Sequence, residues 1–312
     1  MGWLGWSLVA AALLVLGLAG FVAWAVRTGS VASLDRVDAG FPRTRSARLV
    51  ETARYGANPQ QKLRLYVPRG VPPAGGFPLV AFYHGGGWHS GDPGAYGFVA
   101  RALAAKGYAT ALIGYRLNAA GRYPAMLEDS AVGLRVALAK AGEHRIDPSR
   151  VALVGHSAGA YNAAMLALDR RWLAQAGVAP ERVAGVAGLS GPYDFYPFRW
   201  PSAKFSFGDW PRPLETQPVA LVRADAPPML LLTGTEDRTV QPRNTRALAQ
   251  ALSKLGAKPV VVEIPGMGHG GPVITLARPF DRDRRVGDAL FAFLARVLPP
   301  APASSPVKRS AR

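Results

Sequence analysis

The stretch Val151-Ala-Leu-Val-Gly-His-Ser-Ala-Gly-Ala160 limits what this chain can fold into more than any other. A β-prone apolar run, Val151 to Val154, enters Gly155-His156-Ser157-Ala158-Gly159. A small-residue run compatible with a helix, Ala160 to Leu168, leaves it. Strand, G-x-S-x-G and helix in that order describe a nucleophile elbow: a serine on a sharp turn, its hydroxyl held above the end of a sheet. Side chains two residues to either side would collide where strand and helix pass, so glycine at 155 and 159 is a steric requirement. The helix start also aims N–H groups at the reacting centre. Alone, the pattern fits a strand-to-helix turn of any α/β protein as well, and the rest of the chain has to decide.

Gly2 to Val26 carries no charged side chain, and Trp3, Trp6 and Trp24 stand near its ends. A hydrocarbon core of about 30 Å needs about 20 such residues, so residues 1–27 are expected to form a transmembrane anchor. A cleaved signal peptide is the alternative, with Ala23-Trp24-Ala25 as its site. It lacks a basic n-region and its apolar run is overlong. Arg27, Arg36, Arg43 and Arg45 follow the span, which puts the next domain in the cytoplasm. A cleaved signal would make it periplasmic or secreted. Residues 28–46 read as a polar linker, 47–298 as the catalytic domain, and 299–312 as a disordered basic tail.

The 312 residues, 49% of them hydrophobic, suit one α/β domain of about 250 residues plus tails. There is no cysteine, which excludes disulfides and Cys-based zinc sites. The net charge of +17 comes mostly from arginines spread along the chain, with no aromatic-interleaved basic motif. That pattern fits a solvated surface beside an acidic membrane and argues against a nucleic-acid partner. Oligomeric state is not legible.

Apolar runs and alternation predict strands at 47–55, 62–67, 77–83, 108–115, 151–154, 183–189, 229–232 and 260–264. Helices are expected at 95–106, 124–140, 160–168, 241–255 and 285–297. Residues 192–227 are rich in proline and aromatics without a period, and are expected to form a small cap over Ser157.

After the third strand comes His84-Gly-Gly-Gly-Trp88. Its unobstructed N–H groups at Gly86 and Gly87, with that of Ala158, are candidates for an oxyanion hole. Of five histidines, only His269 follows Ser157. It lies in a glycine-rich loop after the last strand, within reach as a general base. His84 and His156 read as local hydrogen-bonding residues, His89 and His144 as solvated ones. The acid should follow the preceding strand, which selects Asp237, with Glu236 in reserve. Asp225 sits at the wrong end of that strand, and Glu128 and Asp129 read as structural.

The set His84-Gly-Gly-Gly-Trp88, Tyr115-Arg-Leu117, Gly155-His-Ser-Ala-Gly159, Gly234-Thr-Glu-Asp237 and Gly268-His269 resembles the α/β-hydrolase superfamily over about Ala47 to Leu298. Within it, the chain looks like the hormone-sensitive-lipase-like and feruloyl-esterase-like carboxylesterases. Gly-His-Ser-Ala-Gly-Ala is also similar to kynurenine formamidases and prenylcysteine methylesterases, but Gly87 and Tyr161 depart from the formamidase pattern. The resemblance implies an α/β-hydrolase fold with a mostly parallel eight-stranded sheet. It also implies a Ser157-His269-Asp237 triad working through an acyl-enzyme, without metal or organic cofactor. The expected substrate is a short-chain or small aromatic carboxylic ester, with Trp88 and Tyr161 against it. The alternatives are an arylformamidase or amidase on the same triad, and a non-catalytic, membrane-tethered binding module.

Overall fold

The computed structural model describes residues 31–299 and scattered positions before residue 21. Its centre is β3 (Phe77–Tyr83), buried along its whole length, as an apolar run without alternation requires. Around it lie β1 (Ala47–Arg54), β2 (Lys62–Pro68), β4 (Ala109–Ile113), β5 (Ile146–His156), β6 (Val183–Leu189), β7 (Met229–Gly234) and β8 (Val260–Ile264). They form one eight-stranded sheet in the order β1-β2-β4-β3-β5-β6-β7-β8. Strand β2 pairs antiparallel with β1 and β4, and every other pairing is parallel. The expected α/β-hydrolase sheet is therefore present.

Parallel neighbours need crossovers, and helices supply them. The helices are α1 (Val31–Ala39), α2 (Gly97–Ala104), α3 (Ala125–Ala139), α4 (Ala158–Leu168), α5 (Arg170–Gln175), α6 (Pro201–Phe207), α7 (Arg243–Lys254), α8 (Gly271–Ile274) and α9 (Arg285–Val297). Period-two alternation splits the strands between two cores. Leu79, Ala81 and Tyr83 of β3 face a core shared with Leu134, Met165 and Leu248 of α3, α4 and α7. Val80 and Phe82 face the other, with Phe98 and Leu103 of α2 and Leu290 and Leu294 of α9. Residues 286, 290, 293 and 294 are the buried positions of α9, the spacing of one helical stripe.

Three expectations need correction or limits. The polar linker expected over 28–46 contains α1 and a 3-10 turn, Pro42–Ser46. Buried Arg101 explains the order: its Nε donates to Asp38 Oδ2 at 2.5 Å, and it also pairs with Asp35. Strand β5 begins at Ile146, ahead of the expected 151, because Ile146 pairs with Phe77 before a register shift. Among the described residues no helix is long and apolar enough to cross a membrane. Most of Gly2–Val26, where a span is expected, lies outside the described residues, as do residues 300–312.

The 192–227 segment folds into α6 and two 3-10 turns, Pro213–Thr216 and Pro218–Ala220. Gln217 Oε1 accepts from the N–H groups of Phe195 and Tyr196 at 2.8 and 3.1 Å. Asn244 Oδ1 accepts from those of Tyr193 and Asp194. Of the expected cap aromatics, Tyr193, Phe195 and Phe207 are buried, Phe198, Trp200 and Trp210 pack partly buried against the core, and Tyr196 and Phe205 are exposed.

Candidate active site

The parallel strands deliver four loops to one end of the sheet, where open α/β sheets bind ligands. Ser157 stands between β5 and α4 with φ 54° and ψ −122°, a conformation L-residues seldom adopt. Its N–H donates to Leu189 O at 2.8 Å, which helps to hold the turn. A Cβ on Gly155 would lie 2.2 Å from Gly159 O, and one on Gly159 would lie 2.0 Å from Tyr83 O. Both glycines are thus enforced by backbone contact.

His269, between β8 and α8, places Nε2 2.9 Å from Ser157 Oγ and Nδ1 2.8 Å from Asp237 Oδ2. Asp237, after β7, is buried, and its Oδ1 accepts from Thr239 N and Val240 N at 3.0 and 2.8 Å. Those bonds leave Oδ2 aimed at the imidazole. Glu236, the reserve acid, is exposed. The structure thus brings Ser157, His269 and Asp237 together and leaves Glu236 out.

The loop after β3 uses φ values open to glycine: 125° at Gly86 and 61° at Gly87. A Cβ on Gly86 would lie 2.0 Å from Ser90 O. Gly86 O instead accepts from His89 N and Ser90 N, so the loop folds back on itself. Among the described residues, no backbone acceptor takes the N–H groups of Gly86, Gly87 or Ala158. All three residues line the cavity that holds Ser157 and His269, where such donors suit a developing oxyanion.

That cavity has a volume of about 990 Å³, at the upper end for small-molecule sites. Trp88, Trp200 and Arg238 line it, as do Val31, Leu34 and Val37 of α1. A family model described as BD-FAE matches residues 63–252, more than half of the chain and most of this site's scaffold.

The chain belongs to the BD-FAE family.

Several proteins similar to it are named esterases. A probable isoprenylcysteine alpha-carbonyl methylesterase of Oryza sativa subsp. japonica is 29% identical over 72% of this chain and 57% of that protein. Esterase LipC of Mycobacterium tuberculosis is 27% identical over 72% of this chain and 60% of its own length. The chain therefore spans well under two thirds of either relative. Among solved structures, an esterase B from Lactobacillus rhamnosis matches with a TM-score of 0.71 and 24% identity, over 89% of this chain and 96% of that one. A bacterial heroin esterase matches with a TM-score of 0.69 and 24% identity, over 87% and 90%. At those identities the structural likeness speaks for the fold.

Of the two residues of this BD-FAE chain expected against the substrate, Tyr161 stands behind the cavity wall and Trp88 lies on it. Tyr161 is fully buried and absent from the cavity wall, with its ring edge-on to Trp88, Phe195 and Phe207. Helical geometry turns it into the core, four residues beyond Ser157. Trp88 does line the cavity, but it is buried and its Nε1 donates to Asn162 Oδ1 at 3.2 Å. Asn162 Nδ2 donates in turn to Ser130 Oγ at 3.1 Å, and Ser130 to Met126 O at 2.7 Å. Asn162 thereby ties the glycine loop to the helix behind the nucleophile. Sequence reading passes over it because an Asn within an alanine-rich helix signals nothing until its neighbour is known.

His156 and His84 have local roles, as expected. His156 is buried and its Nε2 donates to His269 O at 3.0 Å, supporting the loop that carries His269. Burial, reinforced by the neighbouring His269, pushes its pKa down to about 4. His84 is stacked on Tyr115 with ring centroids 4.5 Å apart, and its Nδ1 donates to Gly85 O at 2.8 Å. Burial pushes it down to about 4 as well. Asp129 is structural: it accepts from Arg116 Nε at 2.8 Å and from Gln61 Nε2 at 2.8 Å.

Proposed function

We propose that this chain is a serine carboxylesterase acting through an acyl-enzyme. The observation that carries the reading is the pair of contacts at His269, 2.9 Å to Ser157 Oγ and 2.8 Å to Asp237 Oδ2, at the wall of a large apolar cavity. In this reading His269 Nε2 takes the Ser157 proton as Oγ attacks the ester carbonyl. The N–H groups of Gly86, Gly87 and Ala158 receive the oxyanion. As the tetrahedral species collapses, the C–O bond to the alcohol breaks and His269 protonates the leaving oxygen. Water then attacks the acyl-enzyme and gives a proton to His269, releasing the acid and restoring Ser157. Asp237 keeps the Nδ1–H tautomer and stabilises the imidazolium that forms. These steps use groups of the chain and water alone.

A binding module would gain nothing from a buried carboxylate aligned on an imidazole aligned on a strained serine. The arylformamidase alternative uses the same groups, and matched ester and anilide substrates separate the two chemistries. Trp88 and Trp200 line the cavity while Tyr193, Phe195 and Phe207 pack inward, so the aromatic wall that would favour a short-chain or small aromatic ester is only partly present in a wide cavity. Hydrolysis of p-nitrophenyl esters by wild type, Ser157→Ala and His269→Ala tests the reading. Each substitution should lower kcat by orders of magnitude, up to about 10⁶. Near wild-type turnover in purified His269→Ala contradicts it.

We also propose that Gly2–Val26 tethers the domain to a membrane with the domain in the cytoplasm. The uncharged run and the arginines at 27, 36, 43 and 45 support this. The protein should sediment with membranes and resist high-salt extraction. A mature N-terminus at Val26, found in the periplasm, contradicts it.

A further inference from the structure

The cavity extends well beyond the atoms an acyl transfer needs. One part of its wall, Trp88 and Trp200, belongs to the core behind the nucleophile helix. The other part is continuous with the opposite core: Leu34 and Val273 lie in it, and Val31, Ile274 and Phe280 pack against it. Ser157, His269 and the glycine loop lie on the wall of this one cavity with both parts. Those five residues carry no charged side chain and offer a hydrocarbon surface; Asp92, also on the cavity wall, is paired with Lys62.

Helix α1 supplies much of that surface. Val31, Leu34 and Val37 recur every three residues and so share one face, and all three line the cavity. Asp35 and Asp38, also three apart, meet Arg101 of α2. Arg101 Nη2 donates to Asp35 O at 3.0 Å as well, and Asp38 Oδ1 accepts from Arg278 N at 2.8 Å. Asp38 is fully buried, and Arg101 nearly so. A buried cation between two carboxylates does little for net stability but fixes one geometry strongly, because neither charge tolerates losing its partner. The wall is thus pinned on both sides, to α2 and to the segment after α8. Four residues separate α1 from the uncharged run that ends at Val26.

We propose that α1 forms the wall of a second, apolar compartment of the substrate site, which holds the long hydrocarbon chain of a membrane-partitioned amphiphilic ester whose carbonyl sits at Ser157. This rests on the esterase reading above. Such a substrate has a single extended apolar chain and an ester near its polar end. Arg101 is the positioning residue: it touches no substrate and holds the wall where the chain docks.

The test uses the full-length protein and p-nitrophenyl acetate, butyrate, octanoate and dodecanoate below their aggregation limits. Each buried methylene should raise kcat/KM by up to about fourfold, so wild type should favour octanoate and dodecanoate over butyrate by at least tenfold. Val37→Trp and Val31→Trp each fill the compartment from a partly exposed wall position. Each should lower the dodecanoate-to-acetate ratio of kcat/KM by at least tenfold. Arg101→Met should raise KM for dodecanoate with little change in kcat. A chain-length profile that is flat or peaks at butyrate in wild type overturns the proposal. So does a ratio left unchanged by both tryptophan variants. Failure of the esterase reading looks different: no ester of any length is hydrolysed, or Ser157→Ala hydrolyses them all.

Discussion

Lowering the pH from 7 to 5 should cost this protein several kcal/mol through two buried histidines outside the triad. His84 and His156 are buried, and burial pushes both down to about 4, against about 6.5 in an unfolded chain. A depressed histidine pKa means that the unfolded chain takes up the proton first. The stability gained from keeping each ring neutral is therefore complete above pH 6.5 and is lost as the pH falls from there toward 4. At pH 5 the unfolded form of each site is almost fully protonated and the folded form is about one tenth protonated. The linkage relation then gives a loss of about 2 kcal/mol per histidine, or about 4 kcal/mol for the pair. That is a large share of the 5–15 kcal/mol typical of a domain. Urea unfolding at pH 7 and pH 5 measures it directly, as midpoint times slope. Ordinary carboxylates titrate near pH 4, and comparison with variants cancels what they contribute. His84→Phe keeps the ring stacked on Tyr115 and removes the proton site, so its loss between pH 7 and 5 should be smaller than wild type by about 2 kcal/mol. His156→Gln should act alike. A pH 7-to-5 difference identical in wild type and both variants refutes the reasoning.

Asp237→Asn keeps an acceptor for Thr239 N and Val240 N but presents a donor to His269 Nδ1, forcing the other tautomer. Turnover should fall about 10⁴-fold with the melting temperature nearly unchanged, as paired kinetics and calorimetry will show. Gly159→Ala puts a methyl 2.0 Å from Tyr83 O, so the elbow must shift. Loss of ester hydrolysis together with at least about 1–3 kcal/mol of stability is expected. Asn162→Ala leaves Trp88 Nε1 without its acceptor and Ser130 Oγ without its donor. A cost of about 1–3 kcal/mol and a lower kcat should follow, since the glycine loop is no longer tied to α4.

The elbow, the histidine and the acid were legible because each is fixed by backbone order. A parallel sheet delivers its loops to one end, so Ser157, Asp237 and His269 converge whatever the details between them. Gly155 and Gly159 could be read for the same reason, since the collision they avoid is between main chains. Side-chain direction was less legible. The aromatics of 192–227 have no period, and only the bonds made by Gln217 and Asn244 reveal that Tyr193 and Phe195 turn inward. Helix α1 was hidden because its polar residues suggest solvent. Its order depends on Arg101, more than sixty residues away in sequence. The ring of Tyr161 illustrates the same limit: four residues from Ser157 along the chain, it is buried and absent from the cavity wall.

The central claim, that Ser157 is the nucleophile of an ester hydrolase, is tested most directly by active-site titration. The protein is reacted with an organophosphonate, residual ester hydrolysis is followed, and the digest is mapped by mass. Trypsin releases Ser157 in the peptide spanning residues 151–170. One adduct per chain on that peptide, rising in step with loss of activity and absent in Ser157→Ala, is the result expected. Complete inactivation with the label elsewhere, or full ester hydrolysis after Ser157 is modified, would contradict the account.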